Sequence, residues 1–219
     1  MLFYIEILLF EVQKEDKLEV GSDEMQVKKE ELKLMILNTA RNEFLHRGYE
    51  DASLRTIAKK ANTTIGNIYH YYPNKEAILD EILAPAIKEM EELIRDHLEE
   101  SVAITGVEEI DEILDELDLN DTEMHILLSP EFVIFMRTKV EKYAVYREEF
   151  KEKLVHHIAW HLNVEVNHFV ILVMDMVIEC LIHLNTATHD IKEKQKDFID
   201  LFRMLCSGII VSDGLKKKK

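Results

Sequence analysis

Between Ser53 and Tyr72 the sequence carries Arg55, Lys59 and Lys60 and no acidic residue, in a chain whose net charge is −16. Cations gathered on one stretch of an acidic protein suit a polyanion, because nucleic-acid phosphates are held mainly by Lys and Arg. Asn67 and His70 follow in the same stretch. Both side chains can read base edges, and an asparagine amide pairs bidentately with adenine. The chemistry expected here is therefore recognition. No G-x-S-x-G elbow, P-loop, dinucleotide fingerprint or H-E-x-x-H motif occurs, which leaves an enzyme as the least supported class, with no cofactor and no metal required.

The elements that must position these residues are helical. Residues Glu30 to Leu45 place Leu32, Met35, Ile36, Ala40, Phe44 and Leu45 at helical spacing, and Gly48 supplies a left-handed C-cap. Ser53 reads as the N-cap of a short helix with inner face Leu54, Ile57, Ala58 and Ala61. Asn62-Thr63 interrupts the pattern, and Thr64 caps a second short helix that turns Ile65, Ile68 and Tyr72 inward, leaving Asn67 and His70 on the opposite side; Pro73 stops it. Asn74 caps a fourth helix through Ile78, Leu79 and Ile82. Two short helices separated by a tight break behind a longer one have the dimensions of a helix-turn-helix. Tyr72 reads as core, Tyr71 and Tyr69 as either core or surface, Arg55 also as a solvated charge, and His70 also as an ordinary surface histidine.

The run Ala40…Phe44…Gly48-Tyr49…Ser53-Leu54-Arg55-Thr56-Ile57-Ala58…Ala61…Thr64…Gly66-Asn67-Ile68-Tyr69-His70-Tyr71-Tyr72-Pro73-Asn74-Lys75-Glu76…Leu79 resembles the N-terminal signature of the TetR/AcrR regulators. The resemblance covers about a quarter of the chain. It implies that Ser53, Arg55, Thr64, Tyr69 and Lys75 hold phosphates while Asn67 and His70 read bases. A lysine in the first helical turn opposes the helix dipole, which an external anion at Lys75 would relieve. Gly66 fits a close backbone approach to phosphate. Two departures stand out: Asn62-Thr63 replaces the family's usual Gly-Val, and Ile65 stands where a basic residue is common. The resemblance further implies a homodimer on a double-stranded palindromic operator, released by an unknown small-molecule effector.

The rest of the chain reads as helices at about 85–101, 107–119, 130–162, 165–187 and 190–211, with Pro130 opening one and Gly106 and Asn163 marking breaks. The fold class is thus all-α, an N-terminal helix-turn-helix domain (28–83) plus a larger helical ligand-binding and dimerisation domain (84–215). From Phe169 to Leu184 only Asp175, Glu179 and His183 are polar, at intervals of four. Three readings of that stripe stand: a solvated or interface edge, part of a ligand pocket, or, with His157, His161 and His168, a metal site. Phe132, Phe135, Met136, Tyr143 and Trp160 read as core, some of them walling a pocket, so Phe135, Trp160, Asp175, Glu179 and His183 are the candidate ligand residues.

Residues 1–27 form an N-terminal extension, either disordered or, if translation starts at Met25, not native, and 216–219 form a basic tail. The opening apolar run, Met1 to Phe10, lacks a basic flank and a cleavage site and is short for a bilayer, so neither a signal peptide nor a membrane partner is expected. The two cysteines, Cys180 and Cys206, follow no metal or redox spacing, as expected of a cytoplasmic protein. Residues 25–83 hold 9 basic and 8 acidic residues, against 16 and 28 in residues 84–219. The overall acidity and Ile65 keep a second class open, a small-molecule-binding or interaction protein that has lost sequence-specific DNA binding.

Overall fold

The computed structural model describes residues 26–100, 123–187 and 190–217, which contain eight α-helices, one 3-10 segment and no strand. Helix α1 covers residues 26–47 and buries Ile36, Ala40, Phe44 and Leu45, while Met35, expected on the inner face, is half exposed. Gly48 ends it with φ +83° and donates to Phe44 O at 3.0 Å, a left-handed closure that L side chains resist. Helix α2 (Leu54–Lys60) starts where Ser53 Oγ accepts from Thr56 N at 3.2 Å, and α3 (Ile65–Tyr71) where Thr64 Oγ1 accepts from Asn67 N at the same distance. Ile57, Ala58, Ala61, Ile68 and Tyr72 bring both helices onto α1. Ile36, Ile57 and Ile68 have no exposed surface, and each stabilises the fold by about 2 kcal/mol through burial.

Helix α4 (Lys75–Glu100), capped by Asn74 Oδ1 on Ala77 N at 2.8 Å, joins the helix expected through Ile82 and the one expected from about 85 into a single element. It runs unbroken through Pro85. A proline inside a helix costs about 3 kcal/mol, but Leu83, Ala86 and Met90 on either side are almost fully buried and hold the helix in place. One helix therefore belongs to both the N-terminal bundle and the larger domain.

A 3-10 segment, Glu123–Leu128, leads to α5 (Pro130–Arg137), α6 (Glu141–His161), α7 (His168–Ala187) and α8 (Ile191–Lys217). The single helix expected over 130–162 is thus two. No glycine or proline marks the break; tertiary partners make it. Arg147 of α6 donates to Phe135 O and Thr138 O at 3.1 and 2.9 Å, and the Lys139 N–H donates to Glu50 Oε1 at 2.6 Å. Asn163 ends α6 in the left-handed conformation, φ +48°. Helix α7 packs on α5, α6, α8 and the 3-10 segment through Val170, Val173, Met174, Val177 and Leu181. It is long and apolar enough to cross a bilayer by composition, yet Asp175 and Glu179 interrupt it and its inner face is filled by protein. The helix expected over 107–119 and the extension before Gln26 lie outside the described residues.

Candidate nucleic-acid interface

The exposed face of α3 carries Gly66, Asn67, Tyr69 and His70, and Arg55 and Lys59 of α2 are exposed beside it in the sequence. The inward turn of Ile68 and Tyr72 forces this outcome, since residues three and four apart share a helix face. Tyr69 is 54% exposed, whereas Tyr72 is 3% exposed and its hydroxyl is pushed up by burial. Tyr71 is half-buried. A methyl group added at Gly66 would meet only Thr64 Oγ1, at 3.7 Å, and the backbone there is helical. Nothing among the described residues requires glycine at this position, so the space above it is open to a partner.

The cationic stretch is weaker than its sequence suggests. Lys60 pairs with Glu43, which sits 2% exposed on the inner side of α1. Burying an acid at a core-facing position without such a partner is costly. Its signal was readable: Glu43 falls at the helical spacing of Ile36 and Ala40. Lys75 is engaged as well, donating to the carbonyls of Tyr49, Glu50 and Ala52 at 2.6, 3.1 and 2.9 Å and lying 4.3 Å from the Tyr49 ring centre. An ammonium has three donors, so all are used on the turn between α1 and α2. Burial lowers its pKa. A phosphate contact at Lys75 would have to displace one of these carbonyls.

Helices α4, α5 and α6 enclose a second site, a cavity of about 940 Å³ lined by Ile87, Met90, Phe135, Tyr146, Phe150 and Trp160, with Glu149, Lys153 and His156 among its polar groups. Val164 and Val166, redirected by Asn163, complete it. Phe135 and Trp160 thus meet as the sequence suggested, while Phe132, Met136 and Tyr143 are core. Asp175, Glu179 and His183 do not join them: Glu179 and His183 are exposed on α7, and Asp175 pairs with Lys151 at 2.6 Å. The polar stripe faces outward because the opposite face of α7 supplies the core. His157 Nε2 and His161 Nε2 are 3.1 Å apart, and among the described residues no group of three metal-ligating side chains converges.

The family model described as "Bacterial regulatory proteins, tetR family" matches residues 36–82, the segment that forms the α1 core, α2, α3 and the start of α4. Over residues 36–82 the chain is similar to the TetR family of regulators. Two curated relatives are from Bacillus subtilis strain 168 and carry the names of uncharacterized HTH-type transcriptional regulators. YhgD is 36% identical over 70 residues, 32% of this chain and 37% of that protein. YdgC is 33% identical over 116 residues, 49% of this chain and 59% of that protein. The chain therefore spans less than two thirds of the length of these relatives. Solved TetR-family structures share the fold across more of it. A regulator from Streptomyces coelicolor A3 aligns with a TM-score of 0.57 at 18% identity, covering 79% of this chain and 89% of that one. PfmR from Thermus thermophilus aligns at 0.51 and 20% identity, covering 78% and 96%.

Proposed function

We propose that the protein is a homodimeric, ligand-responsive repressor that binds a palindromic operator through α3 and releases it when a small molecule enters the α4–α6 cavity. The observation that carries the reading is the face of Gly66, Asn67, Tyr69 and His70, exposed on a helix whose other side is packed, with a glycine that the fold itself does not need. Asn67 and His70 meet base edges; Ser53, Arg55, Thr64 and Tyr69 set the register on phosphates. The cavity is large enough for a drug-sized ligand, and its apolar walls carry ionisable groups at the edge, among them Arg95, Glu149, Lys153 and His156, that could orient one. Half-exposed Phe169, Leu172 and Met176 on α7 supply the face that a second copy would cover.

The net charge of −16 and the Glu43–Lys60 pair favour a second reading, an effector-binding protein that no longer reads sequence. Fluorescence anisotropy against duplexes from the gene's own upstream region and a scrambled duplex, over a series of salt concentrations, separates the two. The repressor reading expects one segment to bind about a thousandfold more tightly than the scramble, with an Arg55→Ala variant lowering the salt slope by about one phosphate contact. Equally weak, steeply salt-dependent binding to both duplexes, followed by a random-sequence selection that enriches nothing, would leave the second reading.

A further inference from the structure

The junction between α2 and α3 is set by its own backbone. Asn62 takes the left-handed conformation, φ +49°, with its N–H 3.3 Å from Lys59 O, and the Thr63 N–H reaches Ala58 O at 2.9 Å. This is a Schellman closure, which fixes Thr63 on the C-terminal carbonyls of α2. Thr63 Oγ1 then accepts an N–H from Asn67 Nδ2 at 3.0 Å, one turn into α3. The main-chain N–H of Asn67 goes separately to Thr64 Oγ1. The cap therefore holds the backbone of Asn67 while Thr63 holds its amide.

A side-chain amide has two N–H donors and one acceptor oxygen. With one donor engaged by Thr63, the exposed remainder is a donor beside an acceptor, the complement of N7 and the N6 amino group of adenine in the major groove. Guanine presents two acceptors on that edge and would leave Oδ1 facing an oxygen or nitrogen lone pair. Fixing the amide before DNA arrives also removes rotamer freedom that binding would otherwise have to remove.

We infer that Thr63 is a positioning residue for base readout: by holding the Asn67 amide it presents an adenine-reading edge and sets an A·T preference at one position of each half-site. The inference rests on the DNA-binding reading above. A valine at this position would keep the shape and remove the acceptor.

The test is a random-sequence duplex selection with the full-length protein and its Thr63→Val, Thr63→Ser and Asn67→Ala variants. Anisotropy on the enriched duplex, and on the same duplex with the Asn67-dependent A·T pair changed to G·C, then reads the discrimination, with melting curves confirming that folded proteins are compared. The wild-type protein should enrich a motif in which Asn67→Ala erases one A·T preference. Thr63→Val should reduce adenine-over-guanine discrimination there by about tenfold and leave other positions unchanged, and Thr63→Ser should retain it. Full discrimination in Thr63→Val overturns the brace, and a guanine at the Asn67-dependent position overturns the assigned edge. A wild-type protein that enriches no motif overturns the DNA-binding reading itself, and this inference with it.

Discussion

The Tyr143 hydroxyl donates to Asp80 Oδ1 at 2.6 Å, joining the first turn of α6 to the part of α4 that belongs to the N-terminal bundle. Lys142 strengthens the junction, 2.6 Å from Asp80 and 2.9 Å from Glu76, while Arg41 of α1 reaches Glu131 of α5 at 3.0 Å. The Tyr143 ring also meets Phe135 edge-on at 6.5 Å, and Phe135 walls the cavity. A residue touching the candidate effector site is thus one ring contact and one hydrogen bond from α4. Ile87 and Met90 of α4 line the same cavity directly.

This contact predicts a particular alkaline sensitivity. Burial first, then the hydrogen bond to Asp80, raises the Tyr143 pKa above its ordinary 10.0. A group whose pKa is raised by folding contributes stability that is complete below its unfolded pKa and is lost as pH climbs through the folded one, so the loss begins above about pH 10. Tyr143→Phe should cost about 1–2 kcal/mol near neutral pH and make the alkaline decline shallower. Tyr49 and Tyr72, raised by burial as well, keep some decline in the variant. Thermal melts of both proteins at neutral and alkaline pH measure this; parallel declines would count against the Tyr143 assignment.

Gly66→Ala should move stability and DNA affinity in opposite directions. The site is helical and the added methyl has room, so the change should stabilise the fold by about 0.5–1 kcal/mol, the usual gain when glycine leaves a helix. If DNA backbone approaches Gly66, the same methyl should weaken operator binding several-fold. Denaturant melts and anisotropy on one preparation read both quantities, and unchanged affinity would remove Gly66 from the interface.

Local rules made the N-terminal bundle legible. Ser53, Thr64 and Asn74 each cap the helix that follows them, and Gly48 and Asn62 take the left-handed turns their types allow. What the sequence hid depends on distant partners. The α5–α6 break is made by Arg147 and Glu50, 9 and 89 residues from the groups they bind at Thr138 and Lys139. The continuity of α4 through Pro85 was hidden for the same reason, since burial of its neighbours outweighs a local breaker. The polar stripe of α7 was recognised as a stripe, but periodicity gives a face without saying what lies opposite it. Asp175 faces Lys151, and the cavity opens elsewhere.

The cavity carries its own reporter. Trp160, the chain's single tryptophan, lines it and remains 43% exposed. An apolar ligand entering there should exclude water from the indole and shift its emission to shorter wavelength, saturably. Phe135→Ala should weaken that response, and because Phe135 is 1% exposed it should also cost about 3–5 kcal/mol of stability; Tyr146→Ala, at a half-exposed wall position, separates lost binding from lost folding. A ligand that displaces DNA without altering Trp160 emission would place the effector elsewhere.

The proposed homodimer would use the outer face of α7. Phe169, Leu172 and Met176, at spacings of three and four, are 42%, 50% and 54% exposed, and Met204 on neighbouring α8 is 63% exposed. Scattered exposed hydrophobics are ordinary, but a stripe along one helix beside a second apolar position is the pattern of an interface between copies. Exposed Glu179 and His183 then sit where an interface has its polar rim. A Leu172→Glu, Met176→Glu double variant should place charges at the centre of that contact and convert dimer to monomer in sedimentation or light scattering. The buried face of α7 is untouched, so helical circular dichroism should be retained. Operator affinity should fall with dimerisation, since a palindrome is held by two linked half-sites. A variant that stays dimeric and binds DNA normally would move the interface off this face.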